Sequence, residues 1–230
     1  MNIVAIIPAR GNSKGLPGKN KKLFCGKPLV AWSIEQANRS KMISSVWVSS
    51  DDQEILDISK SYSAETILRP ANISGDEATS ESAWLHSIQT IENLWKDIDL
   101  VIGIQCTSPL RKTKDFDEAI KTFFDQNLDS LFTSCIVKDR LLWNYSNNHH
   151  FMSLNYNFQE RSRRQKMEKV YLENGSFYVF KPSNFKKCLN RLGGKIGTYV
   201  MDHYKRLQID KIEDFRLCEI VMRGYGLDNN

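Results

Sequence analysis

The sequence lacks any apolar run approaching the ~20 residues that a membrane-spanning helix needs. Its first apolar stretch, residues 1–7, is too short for the core of a secretion signal, so neither a membrane partner nor export is expected. Cysteine is sparse and unpatterned: Cys25, Cys106, Cys135, Cys188 and Cys218 are odd in number and show no C-x-x-C spacing. Neither a disulfide framework nor a zinc site is implied. Free thiols in a reducing compartment are, and the cytoplasm is the expected setting. Charge of one sign does not dominate either. Lys and Arg total 32 against 27 Asp and Glu, a net charge of +5, which does not by itself mark a nucleic-acid binder. The cations are bunched at residues 10–22 and again at 161–169, and two local patches suit a small polyanion better than a long one.

What is present is alternation. With 230 residues the chain suits one domain with a real core. Apolar, β-branched runs at 2–7, 45–50, 65–69, 100–105, 130–137, 176–180 and 196–201 read as strands. Amphipathic stretches separate them: Val30, Ile34 and Ala37 share a helical face, as do Trp84, Ile88, Ile91 and Trp95, and Phe116, Ile120 and Phe123. Such alternation predicts an α/β fold with a mostly parallel sheet covered by helices. Residues 139–169 are polar, aromatic and asparagine-rich with little periodicity, and read as an inserted subregion that packs against another subunit.

The stretch Ile7–Lys22, "IPARGNSKGLPGKNKK", follows the first strand and holds five cations and three glycines. In a parallel sheet, ligands gather outside the carboxyl ends of the strands, and the first βα turn is the usual phosphate site. Gly11, Gly15 and Gly18 let backbone N–H groups approach an anion, while Arg10, Lys14 and Lys19 add charge. It is not a Walker A loop: Ser13 stands where the first glycine belongs and Asn20 where a Ser or Thr would ligate metal. Nor is the glycine spacing that of G-x-G-x-x-G. From the residues alone it is an anion cradle or a solvated turn.

"PARGNSKGLPGKN" resembles the amino-terminal signature of the acylneuraminate cytidylyltransferases. The likeness continues in order through "SVWVSSDDQEI", "LRP" with "DEATSES", "QCTSPLR", "RRQ", "ENGSFYVF" and "QIDKIEDF", nearly the whole chain. The resemblance implies a three-layer α/β/α, Rossmann-like nucleotidyltransferase fold, with a mixed sheet and a dimerisation subregion at 139–169. It implies transfer of CMP from CTP to the anomeric hydroxyl of a nine-carbon 2-keto-3-deoxy acid, by a cytoplasmic homodimer. Arg10 and Lys19 would act on the triphosphate, with Ala9, Asn12, Ser13, Lys14, Gly15 and Asn20 lining the loop, and Arg69 and Ser80 meeting the cytosine. Gln105, Thr107 and Ser108 would receive the sugar acid, assisted by Arg164 and Gln165. Asn174 and Gly175 would form a tight turn into the next strand beside the sugar pocket.

The resemblance also implies magnesium, or manganese, held near the C-terminus by two aspartates one residue apart. Here that site reads Gln208-Ile209-Asp210. On a strand, positions 208 and 210 would face one side, so Asp210 is the expected ligand and Gln208 a weaker one. Asp214 reads as a helix cap or a solvated acid, and one of Ser50, Asp51 and Asp52 as the cap of the helix after the second strand. No general base stands out: His149 and His150 lie in the insertion, and His203 follows a strand. Two alternatives stay open at this point, a 3-deoxy-manno-octulosonate cytidylyltransferase and a non-catalytic nucleotide- or RNA-binding domain.

Overall fold

The computed structural model describes residues 1–13, 15–94, 97–137, 141–145, 150–161, 163, 165 and 168–228. In chain order its elements are β1 (Ile3–Pro8), a small hairpin of β2 (Leu23–Phe24) and β3 (Lys27–Pro28), α1 (Leu29–Asn38), β4 (Ser45–Ser50), α2 (Gln53–Ser61) and β5 (Glu65–Leu68). Then come α3 (Ser80–Leu94), β6 (Leu100–Ile104), α4 (Thr113–Asp125), β7 (Ser130–Val137), a hairpin of β8 (Trp143–Tyr145) and β9 (Phe151–Ser153), and β10 (Val170–Phe180). The chain closes with α5 (Pro182–Cys188), β11 (Ile196–Val200) and α6 (Ile212–Gly224).

Seven strands form one sheet in the order β11-β7-β10-β6-β1-β4-β5. β1 pairs in parallel with both β4 and β6, while β10 runs antiparallel to β6 and β7. Period-two alternation sends successive side chains to opposite faces. Along β1, Ile3, Ala5 and Ile7 join the core beneath α1, α2 and α4, whereas Val4 and Ile6 pack on the other face against Trp84, Ile88 and Ile91 of α3 and Phe185 of α5. The result is three layers, as expected. Gly103 is required on the α3 face, because a Cβ there would stand 2.8 Å from the Trp84 indole and 3.1 Å from Phe180.

The chain leaves β1 for β4 on one side and returns to β6 on the other, so the strand order reverses at the carboxyl end of β1. A crevice opens at such a switch point. A third apolar cluster holds its rim in place. Leu16, in the middle of the glycine-rich loop, packs with Phe24, Trp32, Ile209, Phe215 and Met222, which ties that loop to α6.

Two expectations need correcting. Asn174 and Gly175 do not precede a strand; they lie inside β10, which begins at Val170 rather than 176. Glu173 pairs with Ser134 and Tyr178 with Phe132, so four residues of β10 stand opposite Thr133 alone. Gly175 takes φ +62 within this bulge, a left-handed conformation natural to glycine. Gln208–Asp210 is likewise no strand but an irregular segment, held by Ile209 N–H donating to Thr107 O at 2.8 Å. The expected alternation survives there: Ile209 is fully buried while Gln208 and Asp210 both line the crevice. Both cap expectations hold. Asp52 caps α2 by accepting from Glu54 N (2.9 Å), and Asp214 reaches back to Lys211 N (2.9 Å) at the start of α6.

Candidate active site

The crevice is a cleft of about 530 Å³ lined by the first loop, the end of β5, the start of α3, the end of β6 and residues 208–210. One half of it is built from the loop. Ala9 N–H donates to Ser49 O (2.9 Å), continuing the strand ladder; Ala9 is buried, while Pro8 before it and Arg10 after it line the cleft. Asn20 Nδ2 donates to Arg10 O at 2.9 Å and Gly11 N–H to Asp51 Oδ1 at 2.9 Å, which fixes the backbone on both sides of the arginine. The Arg10 guanidinium is an exposed-edge cation, 3.5 Å from Asp76. Glycine is obligatory at position 15, where a Cβ would come within 2.2 Å of Asp210 O.

Lys19 crosses the floor. Its Nζ donates to Ile209 O at 2.7 Å and stands 3.9 Å from Asp210 Oδ1. Burial pushes its pKa down and Asp210 opposes that without cancelling it, the pattern of a cation short of negative neighbours. Arg69 closes the same half. It is 6% exposed; its Nε donates to Ser74 Oγ (3.2 Å), while a buried Nη2 has no hydrogen-bond partner and reaches Asp51 only at 3.6 Å. A buried donor left in that state is costly unless a ligand completes it. Burial lowers the Arg69 pKa as well.

The other half is assembled from distant segments. Gln105 and Thr107 line it just beyond β6. Ser108 and Asn174 are fully buried behind it, where Ser108 Oγ lies 3.4 Å from Gly175 O and Asn174 Nδ2 3.4 Å from Lys205 O. Gln208 Nε2 donates to Asn174 O at 2.9 Å and so clamps the β10 bulge. Arg10, Ser13, Gly15, Lys19, Asn20, Arg69 and Ser80 therefore meet Gln105, Thr107, Gln208 and Asp210 in one cleft. Asn12 and Gln165 are exposed and do not line it. Lys14, Arg164 and His149 lie outside the described residues; His150 and His203 are exposed away from the cleft.

Sequence reasoning missed the residues that hold this geometry. Arg111 is 1% exposed and donates to Gln36 Oε1 (2.9 Å), Ser176 O (2.6 Å), Ser33 Oγ (2.7 Å) and Gln105 O (3.0 Å), joining the end of β6 to the bulge. Burial pushes its pKa down to about 10. Lys205 is paired with Asp115 at 2.9 Å, both almost wholly buried. Arg111 ends the segment "QCTSPLR" and was readable as part of it; nothing local marks Lys205.

For magnesium the donor set is spare. Among the described residues no group of three or more His, Cys, Asp or Glu side chains converges on one point. Asp210 offers one exposed carboxylate at the cleft, 73% accessible, and the amide nitrogen of Gln208 is occupied by Asn174. One carboxylate fits a magnesium ion that takes its other ligands from phosphate oxygens and water.

The mostly parallel α/β sheet thus opens, at its switch point, a cleft walled by the cations Arg10, Lys19 and Arg69. The chain belongs to the cytidylyltransferase family, whose model matches residues 4–223. It is 33% identical over 233 residues to an N-acylneuraminate cytidylyltransferase of Oncorhynchus mykiss, covering 99% of this chain and 52% of that protein. It is 33% identical over 239 residues to the pseudaminic acid cytidylyltransferase of Campylobacter jejuni, covering 97% of each. The chain thus spans about half the length of the trout relative and nearly all of the Campylobacter one. Among solved structures, a CMP:2-keto-3-deoxy-manno-octonic acid synthetase complexed with CTP matches with a TM-score of 0.72 at 15% identity, over 98% of this chain and all of that one. That likeness is one of fold.

Proposed function

We propose that this chain transfers CMP from CTP to the anomeric hydroxyl of a nine-carbon 2-keto-3-deoxy sugar acid, N-acetylneuraminate or a close relative, releasing pyrophosphate. The observation that carries the reading is the meeting, in one cleft, of the loop cations Arg10 and Lys19 and the under-bonded Arg69 with the polar wall of Gln105 and Thr107. The anomeric oxygen forms a bond to the α-phosphorus as the bond from that phosphorus to the bridging oxygen of pyrophosphate breaks. Such transfer depends on positioning and charge neutralisation. Arg10, its backbone fixed by Asn20, donates to the phosphorus-bound oxygens, and Lys19 neutralises the triphosphate from below. Arg69 and Ser80 read the cytosine edge. Gln105 and Thr107 orient the acid.

Asp210, with Gln208 beside it, would hold a magnesium or manganese ion, which when bound supplies charge neutralisation on the phosphates. A homodimer is proposed through 139–169, supported by the exposed Trp143, Phe151 and Met152 on the β8–β9 hairpin. A cytoplasmic setting agrees with five free cysteines. No helix among the described residues is long and apolar enough to cross a membrane.

A pyrophosphate-release assay crossing the four nucleoside triphosphates with nine-carbon acids and the eight-carbon octulosonate tests the reading. Release with CTP and a nine-carbon acid is expected; release with the eight-carbon acid alone, or with no acid, contradicts it.

A further inference from the structure

Behind Gln105 lies a cation that none of the segments carrying the family likeness contains. Arg191, in the connection between α5 and β11, donates from Nε to Glu81 Oε1 at 2.6 Å. Its guanidinium carbon sits 4.7 Å from the ring centroids of both Trp84 and Tyr178. Stacking on two rings with a carboxylate at one edge leaves such a group little freedom. Its Nη1 stands 3.3 Å from one terminal atom of the Gln105 amide, and Gly175 O stands 2.9 Å from the other; assigning oxygen to the end facing Arg191 and nitrogen to the end facing Gly175 turns both contacts into hydrogen bonds.

A glutamine amide is nearly symmetric in shape and opposite in polarity at its two ends, so its neighbours decide what it offers a ligand. Arginine only donates and a carbonyl only accepts. With Arg191 on one end and Gly175 O on the other, one orientation satisfies both contacts. The amide oxygen accepts from Arg191 with one of its two lone pairs, one amide hydrogen goes to Gly175, and the second hydrogen is left to face the cleft that Gln105 lines. The bulge and the left-handed φ of Gly175 are what bring that carbonyl there.

We infer that Arg191 is a positioning residue for the sugar-acid pocket, holding Gln105 so that it presents an N–H donor to the substrate. The inference rests on the proposed function and deepens it. The substrate group that meets this N–H is an oxygen acceptor such as a carboxylate or carbonyl. Glu81 belongs to the same device, since it anchors Arg191 from the first turn of α3.

Steady-state pyrophosphate release by wild type, Arg191→Met, Arg191→Lys and Glu81→Gln tests this. For Arg191→Met the KM for the sugar acid should rise about tenfold or more, the scale of a lost charge-assisted hydrogen bond, with the KM for CTP within about twofold of wild type. Arg191→Lys retains a donor without the fork and should fall between the two. Glu81→Gln leaves Arg191 in place but loosens it, and should raise the acid KM in the same direction by about threefold. It covers the case in which Arg191→Met does not fold. An acid KM unchanged in the folded variants, or acid and CTP KM values rising together, overturns the inference. A wild type that releases no pyrophosphate with any acid fails the functional reading itself, and the inference falls with it.

Discussion

The two halves of the cleft are built by opposite means. The proposed nucleotide half draws most of its cleft-facing side chains from one short segment: Arg10, Gly15, Lys19 and Asn20 fall within eleven residues. The local bond from Asn20 to Arg10 O is backed by Leu16 packing against α6 and by Lys19 donating to Ile209 O. The sugar half is long-range. Gln105 is held by Arg111 through its backbone and by Arg191 through its amide, and the bulge behind it is gripped by Gln208. One half carries cations whose partners are few; the other carries polar groups whose partners are nearly complete. Under the proposed function, a charged ligand is met by surplus charge and a polyhydroxylated one by preset hydrogen-bond polarity.

Substitutions that strike one half and spare the other test that contrast. The largest effect is expected at Arg10. Arg10→Ala should lower kcat by about two or more orders of magnitude with the fold intact, the scale of removing one preorganised donor; circular dichroism with pyrophosphate release measures both, and near-normal turnover rejects the role. Next, Arg69→Ala should raise the KM for CTP about tenfold while leaving the acid KM unchanged, because it removes a buried charged donor from the nucleotide half alone. Equal rises in both constants would dissolve the distinction between the halves.

Lys19 gives a pH test. Burial holds its pKa below the ordinary lysine range, so the unfolded chain binds that proton more readily than the folded one. At this group stability rises as pH climbs through the lowered folded-state pKa, while the charge that meets the triphosphate disappears. The kcat/KM for CTP should therefore fall on the alkaline side, and Lys19→Arg should push that limb to higher pH; an unmoved limb assigns it to another group. The smallest effect is expected at Gln208. Gln208→Asp adds a carboxylate beside Asp210 but loses the donor to Asn174 O. Magnesium should then saturate at lower concentration while the acid KM rises about threefold. A magnesium titration identical to wild type removes position 208 from metal binding.

The same local and long-range contrast explains what the sequence disclosed. β1, β4, β6 and β7 were readable because their apolar residues alternate or run unbroken, and α1, α3 and α4 because theirs recur at helical spacing. The loop was readable because its glycines and cations are neighbours in the chain. The β10 bulge was not. Asn174-Gly175 carries a turn signature, and only pairing with β7 shows that the strand continues through it. Arg191 and Glu81 are 110 positions apart, and Lys205 and Asp115 are 90 apart. That Lys205 is a buried cation and Arg191 a half-buried one stacked on two rings comes from tertiary packing, which no local pattern encodes.

Calorimetric titration of the purified protein with CTP in the presence of divalent ion and without sugar acid, so that no turnover contributes heat, tests the central claim most directly. Saturable one-to-one binding of CTP, abolished or strongly weakened in Arg10→Ala, is the predicted result. A folded protein that takes up no CTP, or one that binds it equally well without Arg10, would contradict the account.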